Sequence, residues 1–153
     1  MARSKAFHFP PFSVVNGNVK TEVSMERFEK QFEQAQYWLD GQVFNSMIPF
    51  MPFRDGIMMN VAKIQSASLQ GSGKVIAAAP PYGRFLYEGV VMVDPETMSP
   101  FARKGAKKVV TDRPLQFAKI PHPDATDHWF DSAKEKDGKA WVKGVKRIAG
   151  GKK

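Results

Sequence analysis

MERFEKQFEQAQYWLDGQVFNSM, residues 25–47, is the stretch around which the rest of the chain must be arranged. Within it Phe28, Phe32, Ala35, Leu39, Val43 and Met47 recur at three- and four-residue steps, which draws one apolar stripe along a helix. The spacing predicts a helix of about six turns. Ser24 is placed to cap it, Glu26 and Glu29 put negative charge at the positive end of its dipole, and Pro49 ends it by steering Ile48 away from the α region. Gly41 weakens its middle by ~1 kcal/mol relative to alanine. Tyr37, Trp38 and Phe44 fall off the stripe, so the helix carries apolar surface on more than one side. That implies a second partner, within the fold or on another subunit.

Downstream, Pro49 to Gly56 reads as a turn, and 57–64, rich in Met, Val and Ile, as a strand. Residues 65–70 and 74–79, joined by Gly71-Ser72-Gly73, alternate well enough to predict a hairpin. After Pro80 and Pro81 a short helix should run to Gly89, with Tyr82, Arg84, Phe85 and Tyr87 as its core and rim, and 90–93 should be strand. From 94 to 123 prolines punctuate Arg103, Lys104, Lys107, Lys108, Arg113 and Lys119, a long basic excursion of the kind that is usually functional or disordered. Within it 109–111 and 115–117 flank Asp112-Arg113-Pro114, which suggests a small extended hairpin. Residues 127–148 form a second helical pattern, with Phe130, Ala133, Trp141, Val145 and Ile148 on one side and Gly138 expected to dent or split it. Phe12 to Val15 can add an edge strand. The expected class is α+β: a small antiparallel sheet against a long N-terminal helix, then the excursion and a C-terminal helix. It is one domain over 1–153, with 1–23 as an arm or edge strand, 94–123 as the excursion and 149–153 as a flexible tail.

The chain has 153 residues and no cysteine, which excludes disulfides, thiolate metal sites and thiol catalysis. No apolar run approaches the ~20 residues that span a bilayer, and the proline-broken start is too short for a signal segment, so a cytoplasmic site of synthesis and no membrane partner are expected. The net charge of +8 is unevenly placed. Residues 1–98 carry nine basic and nine acidic side chains, whereas 99–153 carry fourteen and six. Such asymmetry fits a nucleic-acid footprint, an acidic protein partner, or solubility alone.

Sites for chemistry are missing one by one. Gly71-Ser72-Gly73-Lys74 would need glycine at Ser68 and a hydroxyl at Val75 to be a phosphate loop, so a turn is the better reading. His122 and His128 stand near Asp124, Asp127 and Asp131, but at spacings that match no metal-ligand pattern; the aspartates suit a helix entry. No nucleophile elbow, zincin motif or matched carboxylate pair is present, so no catalytic residue, metal or cofactor is expected. Glu26, Glu29 and Glu33 read as a solvated face, or as a contact for the basic excursion of a neighbour. Lys104, Lys107 and Lys108 could track phosphates, yet Phe101, Phe117 and Trp129 are not interleaved with the charges as in single-strand platforms. A nucleic-acid-binding accessory protein using the basic C-terminal third is therefore the alternative function.

Taken in order, the long helix running into Ile48-Pro49-Phe50-Met51-Pro52-Phe53-Arg54-Asp55-Gly56, then Gly73-Lys74-Val75-Ile76, then Pro80 to Gly89, resembles the minor capsid proteins of tailed phages, which are similar to tail-completion and head-to-tail joining proteins. The likeness continues through Ala102 to Lys108 and the closing helix with Trp129, Phe130 and Trp141, and covers roughly 25–148. It implies an architectural role in the virion. Copies would form a ring, hexameric by analogy, at the head-tail junction, against an adjacent connector ring and the tail tube protein and around passing duplex DNA. Subunit contacts are then expected at Tyr37, Trp38, Phe44, Arg84, Tyr87, Arg103, Lys104, Lys107, Lys108 and Arg113, with Lys104, Lys107 and Lys108 as the residues that could face DNA.

Overall fold

The computed structural model describes residues 8–81 and 83–150. Tyr82, the start of the expected arm and the last three residues of the expected tail lie outside them. The elements are β1 (Phe12–Asn16), β2 (Val19–Val23), α1 (Glu26–Met47), a 3₁₀ turn (Ile48–Phe50), α2 (Ile57–Leu69), α3 (Gly83–Glu88), β3 (Val90–Val93), β4 (Val109–Pro114) and α4 (Trp129–Ala149). The class is α+β, but β1–β2 and β3–β4 form two separate two-stranded antiparallel sheets rather than one sheet laid on the long helix. The element that packs along α1 is α4.

α1 stands where its periodicity places it, with both ends differing in detail. Met25 takes the N-cap position, and Ser24 Oγ lies 3.5 Å from Glu26 N, at the outer limit of a hydrogen bond. Ile48 keeps helical angles (φ −51, ψ −47), and the chain tightens into the 3₁₀ turn with Pro49 at an early position, where its missing N–H breaks nothing.

α2 replaces the expected strand. Its 13 residues contain neither Gly nor Pro, and Met58, Ala62, Ser66 and Leu69 recur at helical steps, with Ala62 and Ser66 buried. Asp55 Oδ1 accepts from Ile57 N at 3.0 Å and Gly56, at φ 75, turns the chain into the helix. The hairpin expected over 65–79 is likewise absent, because its first strand is the end of α2 and 74–79 forms no ladder. Gly71 and Gly73 instead serve α1. Their φ values of 91 and 77 turn two N–H groups toward one point, and buried Asp40 fills it: Oδ2 accepts from Gly71 N at 2.7 Å and Gly73 N at 3.1 Å. Gln36 Nε2 donates to the other oxygen at 2.6 Å. Successive N–H groups of this kind make an anion-binding concavity, and here the chain supplies the anion itself.

β3 pairs with β4 through Val90↔Pro114, Met92↔Val110 and Val93↔Val109, with a bulge between the first two pairs. Asp112-Arg113-Pro114 thus belongs to a strand and not to the turn of a hairpin, since β3 lies ready to take up that backbone. Thr111 Oγ1 donates to Val91 O at 2.6 Å across the irregularity. Gly138 neither dents nor splits α4, which runs unbroken for 21 residues.

The core joins Phe44, Met47 and Met51 to Ala62, Ala79, Trp129, Ala133 and Trp141. Trp129 has no exposed surface, and its Nε1 donates to Ala77 O at 2.9 Å; Trp141 Nε1 donates to Ser46 Oγ at 3.2 Å. Where α1 and α4 meet, the Trp38 indole lies against Gly144 so closely that a Cβ there would stand 1.9 Å from Cη2. The second apolar side of α1 is therefore used within the chain.

Candidate functional site

The excursion begins at an acid. Asp94 follows β3, is wholly buried, and accepts from the backbone N–H of Glu96 (2.9 Å), Thr97 (3.3 Å) and Arg103 (3.1 Å). Arg103 also donates from its side chain, Nε to Oδ2 at 2.9 Å and Nη2 to Oδ1 at 3.2 Å, while Nη1 reaches Glu96. The Arg103 side-chain and backbone hydrogen bonds, helped by those from Glu96 and Thr97, hold the Asp94 carboxyl well below the usual carboxylate range against the opposing effect of burial. Glu96 and then Asp94 raise the guanidinium further. One carboxylate thus closes a loop of ten residues, and Arg103 is spent on that closure.

The other basic residues of the excursion divide. Lys108 Nζ donates to Pro100 O and stands 5.5 Å above the Phe85 ring, and Lys119 donates to Ala125 O. Lys104, Lys107 and Arg113 are exposed, with no ion pair among the described residues. Exposed apolar groups accompany them, above all Phe101 (84%) and Ile120 (87%).

The remaining contact candidates do not share one surface. Phe44 is a core residue at 4% exposure and Trp38 is taken up by Gly144, so neither is offered to a neighbour. Tyr37 is half exposed and Arg84 exposed. Tyr87 is partly buried, packs edge-on against Trp129 at 4.8 Å between ring centres, and has its hydroxyl pKa raised by burial, then by Asp131 and Glu88. It borders a hollow of about 400 Å3 lined by Leu39, Val43, Met47, Val75 and Phe130. Apart from Gln36 and Asp40 the walls are mostly apolar, and Asp40 is already engaged by the glycine turn. Such a hollow suits an apolar side chain better than proton transfer. His122 Nδ1 lies 2.8 Å from Met51 O and the His128 ring 5.1 Å from that of Tyr87, so each histidine has a packing role. Among the described residues no three His, Asp or Glu side chains group as metal ligands, and no helix is long and apolar enough to cross a membrane.

The strand expected over Phe12 to Val15 is present at the other end, but in a hairpin of its own rather than at the edge of a larger sheet. β1 and β2 pair as Phe12↔Val23, Val14↔Thr21 and Asn16↔Val19, around the two-residue loop Gly17-Asn18 with Gly17 at φ 59. Alternation puts Phe12, Val14, Val19, Thr21 and Val23 on one face, and Ser13, Val15, Lys20 and Glu22 on the other. Phe12, Val14 and Val19 are 52%, 53% and 64% exposed, so among the described residues this apolar face is left largely open. The signal was present in Gly17-Asn18 between two alternating runs.

No family model matches the chain, and searches among curated proteins and solved structures likewise returned no match.

Proposed function

We propose that the chain is a structural subunit of a tailed-phage particle and not an enzyme, made in the host cytoplasm and built into the head-tail junction without a cofactor. Copies close into a ring, hexameric by analogy with tail-completion proteins, between an adjacent connector ring and the tail tube protein, around the channel for DNA. The motif order over 25–148 is what suggests the location.

The observation that carries the assembly reading is the β1–β2 hairpin. A lone two-stranded hairpin is marginal in water, and this one presents an apolar face that stays half or more exposed among the described residues. Burying Phe12, Val14 and Val19 on a neighbour is worth ~1.5–3 kcal/mol for each side chain fully removed from water. One arm meeting a different surface on the next copy is a head-to-tail contact, and rotation can close such contacts into a ring. The hollow beside Tyr87 and the exposed Phe101 and Ile120 supply further apolar surface for such contacts.

Mass photometry of the purified chain and reconstruction of intact particles test this reading. A closed oligomer and an axial position between head and tail are expected. A chain that stays monomeric and is absent from particles would refute it.

A further inference from the structure

The basic surplus of the last third goes to two places: the excursion engages three of its six cations and leaves Lys104, Lys107 and Arg113 exposed, whereas α4 leaves a continuous row free. On the excursion Arg103 is bound to Asp94 and Glu96, Lys108 to a carbonyl and a ring, and Lys119 to a carbonyl. On α4, Lys136, Lys139, Lys143, Lys146 and Arg147 are all exposed, and none has an ion-pair partner among the described residues. Only Lys136 has another use, 5.4 Å above the Phe50 ring.

At ~100° per residue these five fall within one sector of about 100°, which flanks the line of buried Trp129, Ala133, Trp141 and Gly144. Glu135 stands at the edge of that face and Asp137 on the half-buried side, so the stripe itself contains no acid. The helix dipole accounts for Lys146 and Arg147 in the last turn, but its influence fades beyond that turn and leaves Lys136, Lys139 and Lys143 unexplained. Like charges three and four apart destabilise a helix, and an external polyanion relieves that repulsion.

We propose that this exposed face of α4 binds the phosphate backbone of duplex DNA. From Lys136 to Arg147 the helix rises about 16 Å at ~1.5 Å per residue. Its five cations fall at uneven steps that average ~4 Å, an axial charge density of the same order as the ~3.4 Å per charge along one strand of B-DNA. Single strands are held on aromatic platforms, and the face offers none, because Trp129 and Trp141 are in the core. Contacts confined to phosphates position a protein without reading sequence. In the neck ring this is the face turned toward the channel. That placement rests on the proposed function, whereas the binding itself does not.

The test is anisotropy of a labelled duplex of about 30 base pairs with the full chain, titrated from about 50 to about 200 mM salt. The logarithm of the binding constant should fall linearly with the logarithm of salt. Lys139→Gln/Lys143→Gln/Lys146→Gln should flatten the slope by about 2–3, at ~0.9 per phosphate contact, and weaken binding at least about tenfold at low salt. The arginine version of the triple should keep the slope, which separates charge from folding, and Lys104→Gln/Lys107→Gln should leave it nearly unchanged. The proposal is overturned if no duplex binds at low salt, or if the excursion variant flattens the slope and the α4 variant does not. Preference for polyglutamate over the duplex also overturns it and marks an acidic protein partner instead. Absence of the chain from particles removes the neck reading and leaves the DNA result standing.

Discussion

Two glycines of α4 should respond in opposite senses to the same substitution. At Gly138 an added Cβ would meet only Lys134 Cγ, at 3.7 Å, an ordinary contact. Gly138→Ala should therefore gain most of the ~1 kcal/mol by which alanine exceeds glycine in a helix interior. At Gly144 the Cβ would stand 1.9, 2.4 and 2.8 Å from three carbons of the Trp38 indole. Ordinary carbon contacts begin near ~3.5 Å, so ring or helix must move by more than an ångström. Overpacking of that degree costs ~1–3 kcal/mol, and the upper end applies because the indole is rigid. Set against the propensity gain, Gly144→Ala should lose about 1–2 kcal/mol. For a chain of this size that lowers Tm by about 2–8 °C, while Gly138→Ala raises it by about 2–4 °C. Thermal and urea unfolding followed by circular dichroism measure both. Trp38→Ala should lose its own contacts but abolish the penalty at Gly144, a non-additivity of at least about 1 kcal/mol in a double-mutant cycle. If Gly144→Ala stabilises as Gly138→Ala does, the close approach of α1 and α4 at Trp38 is wrong.

Three further outcomes are expected. Asp40→Ala leaves the N–H groups of partly buried Gly71 and exposed Gly73 without their acceptor, and should cost ~1–3 kcal/mol in urea unfolding, since water reaches the second of them. Asp94 has a folded pKa below its unfolded value of ~3.9, so its contribution is complete well above that value, declines progressively as pH falls below it, and is gone once pH has passed through the lower folded one. Amide exchange of Glu96, Thr97 and Arg103 should thus stay slow at about pH 4 and quicken in stronger acid, whereas Asp94→Asn, which turns a donor toward Arg103, should quicken it already at neutral pH. Val14→Asp and Val19→Asp, on the open hairpin face, should change subunit stability by less than ~0.5 kcal/mol yet reduce the oligomer seen by mass photometry.

Elements whose order is local were legible before any coordinates. α1 and α4 follow from apolar residues at helical steps, and α3 with β3 from proline before and Gly89 after. The misreadings arose where a distant partner decides. Met58, Met59, Val61 and Ile64 make a run that fits strand or helix alike, and only its length without a breaker and the Asp55–Gly56 entry settle it as α2. Gly71-Ser72-Gly73 looks like a hairpin turn because its ligand, Asp40, lies 31 residues earlier in the chain. Asp112-Arg113-Pro114 looks like a turn until β3 is brought alongside. Charge misled in the same way. Arg103 resembles a free cation in sequence, and only folding reveals that Asp94 has claimed it, while Lys104, Lys107 and Arg113 stay exposed, as do the cations of α4.

The Asp40 carboxylate and the two left-handed glycines form a bond between positions that have no other reason to be related. An uncharged residue at 40 would leave an empty anion pocket, and side chains at 71 and 73 would strain the backbone that builds it. Descendants of this chain can thus drift at either end only by drifting at both. The acid and the glycine pair should appear or vanish together across its relatives, a coupled inheritance that sequences alone would reveal.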